Sequence, residues 1–122
     1  MTLKAIIVDD EQDSIDLLQL QLTQQCPQVK LVGTFTSSMK ALQSIEALGP
    51  DLLFLDIEMP VMNGFELLEK ILHLDFSVVF VTAYNQFALR AFRFNALDFL
   101  VKPIDSLELT EAVAKAIANK IV

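Results

Sequence analysis

Short, unbroken apolar runs impose the strongest constraint on how this chain can fold. Four of them are compact, at residues 5–8, 52–55, 78–81 and 99–101. Because these runs do not alternate with polar residues, they predict strands buried on both faces, as in a parallel sheet covered by helices. A more mixed segment, 29–35, contains Gly33 and predicts a fifth strand at an edge of the sheet.

Segments with helical spacing of apolar residues separate and follow the runs. They lie at positions 15, 18 and 22, then 42, 45 and 48, then 68, 71 and 72, then 88, 91 and 92, and finally 109, 113, 116 and 117. Ser37 or Ser38, the Asn63-Gly64 turn, and Asp105 or Ser106 mark helix starts. The pattern predicts an α/β fold, a doubly wound (βα)5 parallel sheet of five strands in the flavodoxin-like order 2-1-3-4-5.

Composition narrows the possible partners. The chain has 122 residues, with 9 Lys and Arg against 16 Asp and Glu, and a net charge of −7. Such a balance argues against direct contact with nucleic acid or an anionic membrane. The length predicts one domain over residues 1–122, and no apolar run approaches the ~20 residues of a membrane span. With Cys26 as its single cysteine, the chain is expected to be cytoplasmic and without an intrachain disulfide.

Chemically active side chains follow the predicted strands. Asp9, Asp10 and Glu11 come after the first predicted strand, and Asp56 after the third. Thr82 and Lys102 end the fourth and fifth, respectively. Individually, Asp10 or Thr82 could cap a helix, Asp56 could open a turn, and Lys102 could be a surface charge. Because parallel strands bring their carboxyl ends to one edge, the set predicts a shared site.

The residue types at this edge suit phosphoryl transfer. Neighbouring carboxylates repel one another, and a hard divalent cation with oxygen ligands, Mg²⁺ above all, relieves that repulsion. A carboxylate nucleophile, a cation, an ammonium group and a hydroxyl supply positioning and charge neutralisation for a transferred phosphoryl group. The predicted product is an aspartyl phosphate.

Four motifs in this chain resemble those of the receiver domains of two-component response regulators, the CheY-like family. They are Ile-Val-Asp-Asp-Glu at 7–11, Leu-Asp-Ile-Glu-Met-Pro-Val-Met-Asn-Gly at 55–64, Val-Thr-Ala-Tyr at 81–84 and Phe-Leu-Val-Lys-Pro at 99–103. The resemblance covers the whole chain. It implies a phosphoacceptor that catalyses its own phosphorylation and dephosphorylation, rather than an enzyme with a separate substrate.

The resemblance also implies roles for individual residues. Asp56 would accept the phosphoryl group from a sensor histidine kinase or a phosphotransfer protein. Asp10, Asp56 and the backbone carbonyl of Glu58 would bind Mg²⁺, with Asp9 acting largely through water. Lys102 would bind a phosphoryl oxygen.

Two further implications concern conformation. Thr82 would move its hydroxyl toward the phosphate, and Phe99 occupies the position of the switch aromatic. Phe99 lacks the hydroxyl of the more common Tyr, so its movement would depend on packing alone. The Lys102–Pro103 peptide bond is expected to be cis.

The segment 82–104 resembles the receivers of LytTR-type regulators, in which a DNA-binding domain follows and controls transcription. Within this segment, Phe92 and Phe99 are predicted in the core, and because Phe92 shares a helical face with Ala88 and Ala91, Phe87 and Phe94 are predicted near the surface. Arg90 and Arg93 lie between these aromatic residues. We therefore expect a homodimer through helix 4, strand 5 and helix 5.

Several alternatives stay open at this point. The chain could be a stand-alone phosphorelay protein, or a docking module that works without phosphorylation. An aspartyl-phosphate phosphatase of the haloacid-dehalogenase type places its paired acids after the first strand, whereas Asp56 follows the third. A flavodoxin-like cofactor carrier has its phosphate loop where Asp9-Asp10-Glu11 would repel phosphate. His73, the single histidine, is expected to be a solvated side chain.

Overall fold

The computed structural model describes residues 2–71 and 74–121, which form a five-stranded parallel sheet between two layers of helices. Its order is β2-β1-β3-β4-β5, which confirms the predicted topology. The strands are β1 (Leu3–Val8), β2 (Val29–Phe35), β3 (Leu52–Leu55), β4 (Ser77–Thr82) and β5 (Asp98–Val101). The mixed segment forms β2 and lies at an edge, as predicted.

Five α-helices connect or follow the strands. They are α1 (Gln12–Gln25), α2 (Ser38–Leu48), α3 (Gly64–Lys70), α4 (Ala88–Arg93) and α5 (Ser106–Ile121), with a 3-10 turn at Asn85–Phe87 before α4. Leu72 and His73, which the sequence placed in or near the third helix, lie outside the described residues.

Polar side chains begin three of these helices. The Ser37 hydroxyl accepts a hydrogen bond from the Lys40 N–H at 3.2 Å, and Asp105 Oδ2 accepts one from the Glu108 N–H at 3.1 Å. Asn63 and Glu66 form a reciprocal capping box, in which each side chain accepts from the other residue's backbone N–H. These caps satisfy N–H groups that have no partner within the helix.

The sheet separates two apolar cores. Ala5 and Ile7 of β1 face the core covered by α1 and α5, whereas Ile6 and Val8 face the core covered by α2, α3 and α4. All four residues of β3 are buried, as a central strand covered on both faces requires. The carboxyl ends of β1 and β3 are thus held at fixed positions by close packing on both sides.

Helix α4 corrects one prediction. Phe92 is 64% exposed, while Phe87 and Phe94 are partly buried against the core. The reason is the fully buried Ala91, which defines the inner face of α4. Phe87 and Phe94 lie four residues before and three after Ala91 and share its face, whereas Phe92 is rotated by about 100°. Phe99 is partly buried in the same core.

Asp51 connects three parts of the fold at the end of the sheet where the strands begin. Its Oδ2 accepts hydrogen bonds from the Lys4 N–H at 2.8 Å and from Lys120 Nζ at 2.9 Å. The Asp51 carbonyl also accepts from the Ser77 N–H at 3.0 Å. Although burial opposes ionisation, the hydrogen bonds and charges of Lys120 and Lys4 lower the pKa of Asp51.

We predict that Asp51→Ala lowers the free energy of unfolding by about 1–2 kcal/mol at pH 7, because two donors lose their acceptor. Since the folded pKa is lowered, this stabilisation is present above the unfolded value of about 3.9 and is lost as the pH falls through the folded pKa. Urea unfolding at pH 7 and in acid measures both effects. Asp75→Ala removes an exposed carboxylate nearby and is the control; equal losses in the two variants would contradict the prediction.

Candidate functional site

The carboxyl edge of the sheet brings together side chains from four strand ends. Asp9 follows β1, Asp56 follows β3, Thr82 ends β4 and Lys102 follows β5. Asp9, Asp56 and Thr82 are buried, and Lys102 is partly buried. The order of the strands places β1 between β2 and β3, so the Asp9 and Asp56 backbones are neighbours, with the Asp56 N–H donating to the Val8 carbonyl at 2.9 Å.

Lys102 joins the two buried carboxylates. Its Nζ lies 2.7 Å from Asp9 Oδ2 and 3.2 Å from Asp56 Oδ2. The Lys102 side chain is 19% exposed, and each aspartate side chain is 6% exposed. Ser14 Oγ, at 3.2 Å, is a third hydrogen-bond partner of Lys102 Nζ. The ammonium group therefore uses all of its donors within the site.

Asp10 adds a third carboxylate. Carboxylate oxygens of Asp9, Asp10 and Asp56 lie within 4.8 Å of one another, and Asp10 is exposed while the other two are buried. Three oxygen donors of this kind, one of them open to solvent, fit a hard divalent cation that keeps part of its water shell. The predicted contribution of the Glu58 carbonyl to such a site stays a prediction.

The charges perturb one another. Burial raises the pKa of Asp56, and the nearby Asp9 carboxylate raises it further, against the lowering influence of Lys102. For Lys102, burial acts to lower the pKa, but the hydrogen bond that Lys102 donates to Asp9 and the charges of both aspartates outweigh it and raise the pKa above its usual value. Lys102 is thus held as a cation, while ionisation of Asp56 is less favourable than it would be in water.

Hydrogen bonds at its two ends fix the loop that follows Asp56. The Ile57 N–H donates to Asp56 Oδ1 at 2.7 Å, and the Gly64 N–H donates to the Ile57 carbonyl at 2.9 Å. A Cβ atom on Gly64 would lie 2.4 Å from the Asp56 carbonyl oxygen. Gly64 is required here by close approach of two backbone segments.

Val61, at the tip of the same loop, has an uncommon conformation. Its φ is 69°, it is 88% exposed, and the Met62 N–H donates to the Pro60 carbonyl at 2.7 Å across it. Positive φ is unfavourable for a β-branched residue. Buried Met59 and Met62 hold the loop on both sides and thereby impose this turn.

Thr82 and Phe99 lie on the β4 and β5 side of the site. Thr82 Oγ1 accepts a hydrogen bond from the Tyr84 N–H at 3.3 Å, and the Lys102 N–H donates to the Thr82 carbonyl at 2.8 Å. The Lys102–Pro103 peptide bond is cis. The predicted movement of Thr82 and Phe99 on phosphorylation stays a prediction.

The sequence did not indicate two contacts of this arrangement, that of Ser14 with Lys102 and that of Gly64 with Asp56. Ser14 could not be identified as a partner of Lys102, because a serine in the first turn of a helix is common. Its position five residues after Asp9 does place it near the same strand end. The contact of Gly64 with the Asp56 carbonyl depends on how the loop closes, which the intervening residues do not reveal.

The strand order and the acidic edge together define a domain of the flavodoxin-like, CheY-type fold. The chain matches the family model of the response regulator receiver domain over residues 5–114, and it belongs to that family. Among the residues that the structure describes, no helix is both long and apolar enough to span a bilayer.

Known relatives agree with this assignment. The chain is 42% identical over 113 residues to the sensory transduction protein LytT of Enterococcus faecalis, covering 91% of this chain and 46% of LytT. It is 35% identical over 115 residues to the transcriptional regulatory protein BtsR of Escherichia coli, covering 93% of this chain and 47% of BtsR. The chain thus spans about half the length of these curated relatives.

A solved structure is also similar. The response regulatory domain of mrkE from Klebsiella pneumoniae has a TM-score of 0.86 and 28% sequence identity, covering 95% of this chain and 96% of that domain.

We predict that Gly64→Ala lowers the free energy of unfolding by about 1–3 kcal/mol, because its Cβ meets backbone atoms that have no room to move apart. Urea unfolding measures the loss. Gly33→Ala is the matched control, since its Cβ would meet the ends of the Leu48 and Phe35 side chains instead. Similar losses in both variants would show that the contact with Asp56 is not responsible.

We predict that Asp56→Asn raises the free energy of unfolding at pH 7 when divalent cations are removed with EDTA. The folded protein holds the Asp56 proton more tightly than the unfolded chain, so the ionised carboxylate lowers stability above the folded pKa. This difference should vanish below the unfolded pKa of about 3.9. Urea unfolding across pH tests it, with exposed Asp10→Asn as the control; a less stable Asp56→Asn at pH 7 would refute it.

Proposed function

We propose that this receiver domain accepts a phosphoryl group on Asp56 from a sensor histidine kinase or a phosphotransfer protein, in a Mg²⁺-dependent reaction, and that it changes conformation to control an output. The observation that carries the proposal is the Lys102 ammonium group held by Asp9 and Asp56, beside a third carboxylate. This arrangement provides a nucleophile, a cation site and a phosphate-binding cation within one small volume.

The chemistry follows from these positions. A carboxylate oxygen of Asp56 forms a bond to phosphorus while the bond between phosphorus and the donor's histidine nitrogen breaks, and the electron pair leaves with that nitrogen. Asp9, Asp10, Asp56 and the Glu58 carbonyl are the residues that would hold Mg²⁺, directly or through water. Mg²⁺ bound there supplies neutralisation of the charge on the phosphoryl oxygens.

Lys102 and Thr82 would complete phosphate recognition. Lys102 Nζ, now 3.2 Å from Asp56 Oδ2, would turn to a phosphoryl oxygen. Thr82 would give up its hydrogen bond from the Tyr84 N–H and donate its hydroxyl to the phosphate. Phosphorylation would thus select a second arrangement of the β4–α4 segment, with Phe99 repacking beside it.

The phosphodonor would contact α1. Leu17 and Leu20 are exposed on this helix. A cavity of about 310 Å³ lies between α1 and the segment after β5, lined by Leu17, Leu18 and Ile104 together with Asp56 and Lys102. An apolar surface next to the phosphoacceptor suits a protein donor, which must cover this edge to deliver its phosphoryl group.

The output we propose is transcription, through a DNA-binding domain outside these 122 residues. The similarity to BtsR, a transcriptional regulator about twice as long, and to LytT supports it. A cytoplasmic location accompanies this proposal.

Incubation with acetyl phosphate and Mg²⁺, followed by intact mass spectrometry, tests the phosphoacceptor. We expect one phosphate adduct on the wild type, and none on Asp56→Asn or after addition of EDTA. An unmodified wild type would refute the proposal and leave the docking module. Turnover of generic phosphate esters, measured in parallel, would instead indicate the phosphatase.

We further propose that phosphorylation favours a homodimer through α4, β5 and α5. Leu89 on α4 is 68% exposed and Phe92 is 64% exposed, and Val101 of β5 is also exposed. The acids Glu108 and Glu111 are exposed on α5, and α4 carries two arginines in its last turn. Two copies can therefore align their apolar side chains and pair the acids of one copy with the arginines of the other.

We expect sedimentation velocity to show a concentration-dependent dimer of the phosphorylated wild type and a monomer of phosphorylated Phe92→Asp. Leu20→Asp places the same charge on exposed α1 and is expected to dimerise normally. A phosphorylated wild type that stays monomeric, or equal effects of both substitutions, would contradict this interface.

A further inference from the structure

Helix α4 rests on one aromatic residue, Phe65 of α3. The Phe65 ring is fully buried, and its centroid lies 5.0 Å from that of Phe94 and 6.1 Å from that of Phe87. The Arg90 guanidinium carbon lies 4.3 Å from the Phe65 centroid, over the ring. Arg90 itself is exposed, so it covers the aromatic cluster from the solvent side.

Apart from this cluster, α4 has few means of holding its position. It has six residues, its N-cap residue Phe87 makes no side-chain cap hydrogen bond, and Ala91 is its one fully buried residue. Isolated helices of this length are unstable in water, so packing on Phe65 determines where α4 lies. Elements with few buried contacts are those that move at low free-energy cost.

Phe65 is also fixed to the phosphorylation site. It directly follows Gly64, whose Cα is packed against the Asp56 carbonyl so closely that a Cβ would lie 2.4 Å from that oxygen. A shift of the loop after Asp56 therefore shifts the start of α3 and the Phe65 ring with it.

A second connection reaches the same cluster from Thr82. Thr82 Oγ1 accepts from the Tyr84 N–H at 3.3 Å, and the Tyr84 ring meets the Phe87 ring edge-on at 6.3 Å. The lysine of the site is also engaged within the protein. Lys102 Nζ has its three donors taken inside the site, one of them by the unmodified Asp56 carboxylate. The contact of Arg90 with Phe65 accompanies this arrangement of the site.

We propose that Arg90 is a positioning residue that holds α4 on Phe65 and thereby disfavours phosphorylation of Asp56. This inference rests on the proposed function and deepens it, since it names the residue that sets the balance between the two states. A cation over a buried ring stabilises the arrangement that contains the contact. In this proposal the contact is made only in the unphosphorylated arrangement, so it lowers the population of the other arrangement by the factor that the contact contributes.

The test compares rates of adduct formation with acetyl phosphate and Mg²⁺, at protein concentrations where the chain is monomeric. We expect Arg90→Gln to react about two- to fivefold faster than the wild type, the factor that one cation–π contact supplies. Arg90→Lys keeps a cation over the ring and should stay close to the wild type. Lys70→Gln removes an exposed positive charge from α3, on the same side of the sheet, and should leave the rate unchanged.

A double-mutant comparison identifies the partner of Arg90. In a Phe65→Leu background, checked for folding by circular dichroism, Arg90→Gln should no longer change the rate. An Arg90→Gln rate equal to or below that of the wild type, or a gain retained with Leu at position 65, would overturn the proposal. If Phe65→Leu does not fold, the comparison of Arg90→Gln with Arg90→Lys decides, since equal rates overturn the role of the cation.

These outcomes are distinct from a failure of the proposed function. A wild type without any adduct overturns both proposals. A wild type that accepts phosphate while Arg90→Gln reacts no faster overturns the role of Arg90 alone.

Discussion

The sharing of one ammonium group between two buried carboxylates is the interaction on which the rest of the site depends. Lys102 follows β5, whereas Asp9 and Asp56 follow β1 and β3, so the contact spans the sheet from its edge to its centre. Without the Lys102 ammonium group, two neighbouring carboxylates would be buried with no cation between them, which is strongly destabilising. The positions of the three strand ends relative to one another therefore depend on the charge balance between these side chains. The fold and the chemistry of the site thus constrain each other.

The loop after Asp56 shows how the same edge is kept rigid. Its start is hydrogen-bonded to the Asp56 carboxylate, its end is packed on the Asp56 carbonyl, and Met59 and Met62 anchor its middle in the core. The positive φ of Val61 is the local cost of this closure. A site that must present a carboxylate in one orientation is better served by such a loop than by a relaxed one.

Most of the fold, and the members of the site, could be predicted from the sequence, because both follow from short-range patterns. Unbroken apolar runs specify buried parallel strands, and the residues after them must meet at one edge; Asp9, Asp56 and Lys102 do so. The faces of α4 could not be assigned correctly. This six-residue helix contains Phe92 and is flanked by Phe87 and Phe94, so more than one apolar face is consistent with the sequence, and only the close approach of Ala91 to the core decides between them. The contacts of Gly64 with Asp56 and of Arg90 with Phe65 could not be predicted for a related reason, since both depend on how separate segments approach each other.

Tyr84 has a practical consequence for studying this domain in solution. The chain contains one tyrosine and no tryptophan, so its intrinsic ultraviolet emission above the weak phenylalanine background comes from a single ring. That ring is exposed, lies two residues from Thr82 and contacts Phe87 edge-on. The domain thus carries a native optical label at the junction between the Asp56 site and α4, and events at that junction can be followed in real time without a dye or an added chromophore.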